Sequence, residues 1–427
     1  MRVLYLLLLV GVAAAKHEQY EGWKSYYVVP QSQEQVRLVQ SLQEEIDIFV
    51  QPSVMREGLV IVKPEHQAGF KKVLDEANIF YRVHSEDVAQ TMRRDDLLIE
   101  ERARDIRAKN ARNIPYDNYQ RLEVFDRYIQ DIANRYPQTV TLVSPANSYE
   151  GRPIYYVKIS TTNFEDRSKP VIFIDAGIHA REWITPPTVT WAIHKLVENV
   201  TEPDLLERFD WILLPIVNPD GYEFSHTSNR LWRKTRSRNA SPLSGICPGV
   251  DGNRNYDFVW NSVGTSSSPC SDIYPGNVPF SEIETRVVRD IINEHLSRMA
   301  MYITVHSFGS MVLYPWGHDG SLSYNALRLH LVGVAMANAI DEVSLPTFPR
   351  YIVGNAALVL NYEASGAAED YAHLVGVPLA YTYELPGFGD GFSGFILPPE
   401  YIEQVCLETW KGFVAGARRA GDLFVIP

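Results

Sequence analysis

The sequence predicts an α/β protein: a large mixed sheet with helices on both faces, preceded by a small α+β unit. From about residue 113 onward, short apolar runs alternate with segments whose apolar residues recur at helical spacing. Before that, residues 22–109 alternate strand-like and helical patterns in the order βαββαβ, which suggests a small antiparallel sandwich. The side chains best suited to chemistry fall at the carboxyl ends of apolar runs, where open α/β sheets place their ligand crevices.

The chain starts with Met1-Arg2, an apolar run over 3–12 and three alanines at 13–15. A brief positive start, an apolar stretch too short to span a bilayer and small residues at its end describe a signal peptide, with cleavage expected near Ala15–Lys16. The alternative is an N-terminal membrane anchor, which the length disfavours. No later segment offers 18 continuous apolar residues, so the mature chain is expected to be secreted and unanchored. Export would permit a disulfide. It would also make Asn199-Val-Thr201 and Asn239-Ala-Ser241 glycosylation acceptors.

In the first unit, a small domain over 16–92, strands are expected at 23–29, 49–50, 59–62 and 80–83, and helices at 34–45 and 67–78. A charge-dense connector follows over 93–112, with Arg93, Arg94, Arg102, Arg104, Arg107, Lys109 and Arg112 among acids. It reads either as a solvated helical face or as a site for a protease that cuts after basic residues. The larger unit spans 113–427. Its strands are expected at 171–175, 211–217, 301–305 and 379–383. Thr185-Pro186 supplies a helix start, Ser281 and Glu284 form a capping-box pattern, and a last helix runs over 400–418 with Cys406 on its buried face.

The 427 residues carry 40 basic and 52 acidic side chains, a net charge of -12, so no broad nucleic-acid surface is implied. Three cysteines exclude a disulfide scaffold and a cysteine-rich zinc module. His179 and Glu182 follow the run over 171–175; His306 ends the run over 301–305. Two imidazoles and one carboxylate suit Zn²⁺ with a position left for water or substrate. Glu384, at the end of 379–383, is the natural general base, because partial desolvation raises a carboxyl pKa. Each of these residues alone is more often structural; their shared strand-end placement is what argues for a metal. Gly389-Asp-Gly391-Phe-Ser-Gly394 runs into Pro398-Pro399, which cannot open a phosphate-binding helix, and is read as a flexible loop.

With these residues in view, the chain resembles the zinc metallocarboxypeptidase zymogens of the pancreatic A/B type over nearly everything after the signal peptide. The resemblance implies one Zn²⁺ per chain held by His179, Glu182 and His306, with Glu384 as the catalytic glutamate and Asp251 orienting His179. It implies that Arg233 polarises the scissile carbonyl, that Asn253 and Arg254 clamp the terminal carboxylate, that Tyr362 caps the bound residue and that Arg181 flanks an outer subsite. Cys247 and Cys270 match a family disulfide. The first unit resembles the inhibitory prodomain, and the connector resembles an activation segment cut by a trypsin-like protease at about 107–112. Substrates would be peptide or protein C-termini.

By the family's pattern Glu369 occupies the base of the specificity pocket, with Gly317 and Ala357 near its wall. An acid there implies a preference for C-terminal Lys or Arg (B-type), since a desolvated carboxylate facing an apolar side chain would be unpaired. Glu369 is one methylene longer than the usual aspartate, and if it turned aside the pocket would be A-type, for aliphatic or aromatic residues. A third reading is a non-catalytic secreted binding protein on this scaffold, which the complete constellation disfavours.

Overall fold

The computed structural model describes residues 16–43, 45–107, 114–239, 241–387, 394–395 and 397–423. The expected signal peptide, all but Arg107 of the expected activation cut at about 107–112, and most of the glycine-rich loop at 389–394 lie outside them.

The first unit has strands β1 (Lys24–Val29), β2 (Ile46–Val50), β3 (Gly58–Val62) and β4 (Phe80–Ser85). They form an antiparallel sheet in the order β2-β3-β1-β4, so β2 and β4 are its edges. Helices Gln33–Ser41 and Gln67–Glu76 cover one face. Val39, Phe70 and Leu74 from the helices meet Tyr26, Val28, Val60 and Val62 from the sheet in one buried cluster. The first helix is shorter than its sequence pattern, ending at Ser41, and β2 is longer, beginning at Ile46. Ser32 caps the helix, accepting from the Gln35 amide at 3.3 Å.

The connector is helical as far as Arg107, in keeping with the helical reading. Helix Val88–Arg107 runs across the boundary expected at 92–93. Its first turns are buried: Val88, Ala89 and Met92 pack with Tyr20, Ile61 and Leu231, joining the first unit to the second.

The second unit is built on an eight-stranded mixed sheet. Its strands are β5 (Val140–Val143), β6 (Tyr156–Ile159), β7 (Val171–Ala176), β8 (Asp210–Leu214), β9 (Met299–Ser307), β10 (Met311–Tyr314), β11 (Ile352–Asn355) and β12 (Leu379–Leu385), in the order β11-β10-β12-β9-β7-β8-β6-β5. The four central strands β12, β9, β7 and β8 are mutually parallel. Buried on both faces, they read as continuous apolar runs, which is why the sequence reveals them best. One face packs helices Leu122–Arg135, Thr185–Val197, Ala326–Asp341 and Ile402–Leu423 in one core cluster, and the other packs Ile283–His295 and Ala368–Val375 in another.

Three local expectations need correction. β8 stops at Leu214 rather than 217, because Pro215 has no amide hydrogen for the ladder. Thr185 is not a cap: Ile184 holds that position, and the Thr185 hydroxyl accepts from the Gly177 amide (3.2 Å) and donates to the Glu182 carbonyl (3.0 Å). The capping box at Ser281 and Glu284 is not made. Glu282 is the N-cap residue, and Ser281 instead donates to Glu282 (2.8 Å) and accepts from Asn255 (3.0 Å). The last helix buries Cys406 as a free thiol.

Candidate metal centre and specificity pocket

Parallel strand ends supply the site. His179 and Glu182 lie in the turn between β7 and the helix that starts at Thr185, and the two Thr185 hydrogen bonds tie that turn down. His306 lies near the end of β9, and Glu384 near the end of β12 directly opposite it in the parallel register. Strand pairing therefore sets the Glu384–His306 relation, and the β7–helix turn delivers the other two groups.

One ligand atom each from His179, Glu182 and His306 fall within 4.8 Å of one another, and all three residues are buried. His179 Nδ1 is 2.8 Å from Glu182 Oε1; His306 Nδ1 is 3.2 Å from Glu182 Oε2 and 3.1 Å from His179 Nδ1. Burial opposes ionisation of Glu182, yet the two imidazoles hold its carboxyl well below the usual range. Burial likewise opposes a charge on His306, but Glu182 raises it to about 9. His179, by contrast, is held below its usual value by burial and Arg233. Two imidazole nitrogens and a carboxylate converging on one point are the donor set of a zinc site that keeps a coordination position open.

Asp251 is fully buried and supports His179 together with Arg233. Its Oδ1 is 3.0 Å from His179 Nε2, and its Oδ2 accepts from Arg233 Nε (3.0 Å) and Nη2 (2.8 Å). Its carboxyl stays well below the usual range, burial being outweighed by Arg233 and His179. Asn253 and Arg254 follow in a short 3₁₀ turn, where Asp251 accepts from the Asn253 amide (3.0 Å). Arg254 donates to the carbonyls of Gly264 (2.9 Å) and Asn253 (2.8 Å), which fixes its head. The Tyr362 hydroxyl donates to the same Gly264 carbonyl at 3.1 Å. Burial pushes the Glu384 carboxyl up to about 8.

A cavity of about 300 Å³ joins these residues to Glu369 and Gly317. Glu369 is 5% exposed, and among the described residues its Oε2 has no hydrogen-bond partner. A methyl group added at Gly317 would come within 3.6 Å of Glu369 Oε1, filling the space before it. Asp370, which does not line the cavity, is used structurally, both its oxygens accepting from the Gly317 amide at 3.0 Å. Ala357 does not line the cavity; its neighbour Ala356 does. The five-residue helix Ala356–Leu360 directs the earlier alanine inward.

The first unit enters the same cavity. Its edge strand β2 contributes Asp47, Phe49 and Val50. Phe49 lies 4.6 Å from the Arg181 guanidinium and 5.4 Å from the Phe395 ring, with Phe308 5.0 Å beyond Phe395. Arg181 is held by Asp272 at 2.8 Å. Gln33 exchanges side-chain hydrogen bonds with Asn361 (3.2 and 3.3 Å), and Gln40 donates to the Asn361 carbonyl (3.2 Å), one residue before Tyr362. Phe49, Asp47, Asp272 and the glutamines escaped the sequence reading. Nothing in their local pattern separates them from ordinary surface residues. The pair Cys247–Cys270 is a disulfide with Cα atoms 4.8 Å apart.

A sheet-end site with this donor set, beneath a small α+β unit, defines a zinc peptidase carrying its own activation domain, and sequence comparison agrees. The family profile for zinc carboxypeptidases matches residues 125–412, and that for the carboxypeptidase activation peptide matches residues 26–95; the chain belongs to the zinc carboxypeptidase family, as a zymogen with its activation peptide. It is 62% identical to a carboxypeptidase B of Helicoverpa zea over 99% of this chain and 100% of that one. It is 34% identical to the carboxypeptidase B of Rattus norvegicus, over 96% of each. Among solved structures, a carboxypeptidase A from Helicoverpa armigera superposes with a TM-score of 0.89 at 42% identity, over 94% of this chain and 98% of that one. Relatives named for both A and B types are therefore similar to it. No helix among the described residues is long and apolar enough to cross a membrane.

Proposed function

We propose that this zinc carboxypeptidase is a secreted zymogen that removes C-terminal Lys or Arg once its connector is cut by a trypsin-like protease at about 107–112. The observation that carries the specificity is Glu369: a buried carboxylate at the cavity floor with one oxygen unpartnered among the described residues. A cationic side chain pairs with the ionised form of this carboxylate, whereas an apolar one leaves it unpaired. The name of the Helicoverpa zea relative supports the same reading.

His179, Glu182 and His306 would hold the zinc, one ion per chain. When bound, zinc supplies a Lewis acid for the scissile carbonyl and lowers the pKa of water. The remaining roles belong to the chain. Glu384 takes the proton of the attacking water and returns it to the departing amine, a task suited to a carboxyl raised by burial. Arg233, oriented by Asp251, stabilises the negative charge that develops on the carbonyl oxygen. Arg254 and Asn253 receive the terminal carboxylate, which makes the enzyme an exopeptidase. Tyr362 closes over the bound residue, and Arg181 borders the next subsite.

The uncut protein is silent because β2 lies where a substrate would enter. The signal peptide (1–15) and the boundaries at 92, 93 and 112 belong to this proposal; helix Val88–Arg107 runs across the first two of these boundaries. Trypsin treatment followed by assay on peptides ending in Arg, Lys, Phe and Leu tests both parts. Activity should appear on cleavage and favour Arg and Lys. A preference for Phe or Leu would overturn the specificity, and equal activity before cleavage would overturn the occlusion.

A further inference from the structure

The two candidate zinc imidazoles differ in how their second ring nitrogen is held. His179 Nε2 meets the carboxylate of Asp251 directly, at 3.0 Å. His306 Nε2 meets the hydroxyl of Thr304, at 3.2 Å. Behind that hydroxyl stands a second carboxylate: Thr304 Oγ1 donates to Asp175 Oδ1 at 2.7 Å, and the Tyr302 hydroxyl donates to Asp175 Oδ2 at 2.7 Å.

The placement follows from strand geometry. Tyr302, Thr304 and His306 alternate along β9 and so share one face of the sheet. Asp175 on β7 stands opposite Thr304 in the parallel register. Adjacent central strands thus bring an acid, a hydroxyl and an imidazole into line beneath the site. Asp175 and Thr304 are each 1% exposed.

We infer that Asp175 and Thr304 are positioning residues for zinc, fixing the tautomer and orientation of His306. A threonine hydroxyl has one proton to give. Thr304 gives it to the Asp175 carboxylate, so toward His306 it can only accept. Nε2 must then carry a proton, which leaves Nδ1, the nitrogen facing Glu182 and His179, as the one that can give its lone pair to a metal. A buried carboxylate is costly, and among the described residues the side-chain partners of Asp175 are two hydroxyls rather than a cation. Burial accordingly raises its carboxyl to about 6. A support for His306 accounts for retaining an acid in that setting. It also gives both imidazoles the same backing, a carboxylate behind the distal nitrogen, in one case through a hydroxyl.

This inference rests on the reading of His306 as a zinc ligand, and the test separates the two. Zinc affinity of the full chain is measured by competition with a chromophoric chelator for the wild type, His306→Ala, Thr304→Val and Thr304→Ser. Thr304→Val should weaken zinc binding about 10- to 100-fold, as loss of an outer partner does. Thr304→Ser, which keeps the hydroxyl, should restore it to within about threefold of wild type by the same reasoning. Weak binding by His306→Ala with unchanged affinity in Thr304→Val overturns the positioning role alone; unchanged affinity in His306→Ala overturns the ligand reading. Equal losses in the Val and Ser variants would assign Thr304 to packing. Should the Val variant not fold, the zinc-loaded wild type still decides, by NMR with ¹⁵N-labelled histidine. A proton on His306 Nε2, protected from exchange, is expected; a proton on Nδ1 contradicts the inference.

Discussion

Replacing Glu369 by Gln removes one negative charge from the cavity floor while keeping the side chain's volume. In the wild type, a bound Lys or Arg side chain would pair with a carboxylate that is 5% exposed and has an oxygen without a partner among the described residues. Breaking a buried ion pair by removing one partner costs about 3–5 kcal/mol. That corresponds to a fall in kcat/KM of about two to three and a half orders of magnitude for substrates ending in Arg or Lys. Substrates ending in Leu or Phe make no such pair and should be processed as well or better. The pH dependence should change with it. Burial, with Asp370 beside it, raises the Glu369 carboxyl from 4.5 to about 7. Basic substrates need the ionised form, so their kcat/KM should rise with pH through about 7 in the wild type, and this limb should vanish in Glu369→Gln. The same shift acts on stability with the opposite sense. Between 4.5 and about 7 the folded protein keeps a proton that the unfolded chain has lost, so this group's contribution falls as pH rises through that window. The assay is steady-state hydrolysis of four peptides differing in their last residue, on trypsin-activated protein. If Glu369→Gln still prefers Arg over Leu, another group sets the specificity.

Truncating the half-buried Phe49 to Ala removes the aromatic ring that β2 sets against Arg181 and Phe395, and loss of such an aromatic anchor costs about 2 kcal/mol of docking energy. The uncut variant should therefore show activity that the uncut wild type lacks; silence equal to wild type would move the occluding contact elsewhere. Arg233→Gln should lower kcat about 10²- to 10³-fold with little change in KM, because the guanidinium serves a charge that develops during the reaction. A change confined to KM would instead make Arg233 a binding residue. Replacing Cys247 and Cys270 together by Ser opens a loop with a sequence separation of 23, for which chain entropy gives a loss of about 3 kcal/mol. Denaturant unfolding of the active domain measures that directly, and an unchanged midpoint would remove the disulfide from the stabilising set.

The central sheet was legible because β7, β9 and β12 are buried on both faces, so their apolar runs have clear ends, and His179, His306 and Glu384 sit at those ends. Asp251, Arg233, Asn253 and Arg254 lie in irregular backbone with no periodicity of their own, and only the family resemblance located them. Ala357 was placed near the wall by the family's pattern, and the cavity takes its neighbour Ala356 instead. Thr304 carried a readable signal, two residues before His306 on a strand, but its partner Asp175 is set by a cross-strand register that no local pattern encodes. The unity of connector and prodomain was hidden for a related reason. Val88, Ala89 and Met92 begin a helix whose later turns are charge-dense, and the charge obscured the buried start.

The claim on which the account depends is a single metal shared by His179, Glu182 and His306, and anomalous diffraction at the zinc edge from crystals of the zinc-loaded protein tests it. One peak per chain, bounded by the Nδ1 atoms of His179 and His306 and the carboxylate of Glu182, is the expected result. A zinc peak elsewhere in the chain, or none between these three side chains, contradicts it.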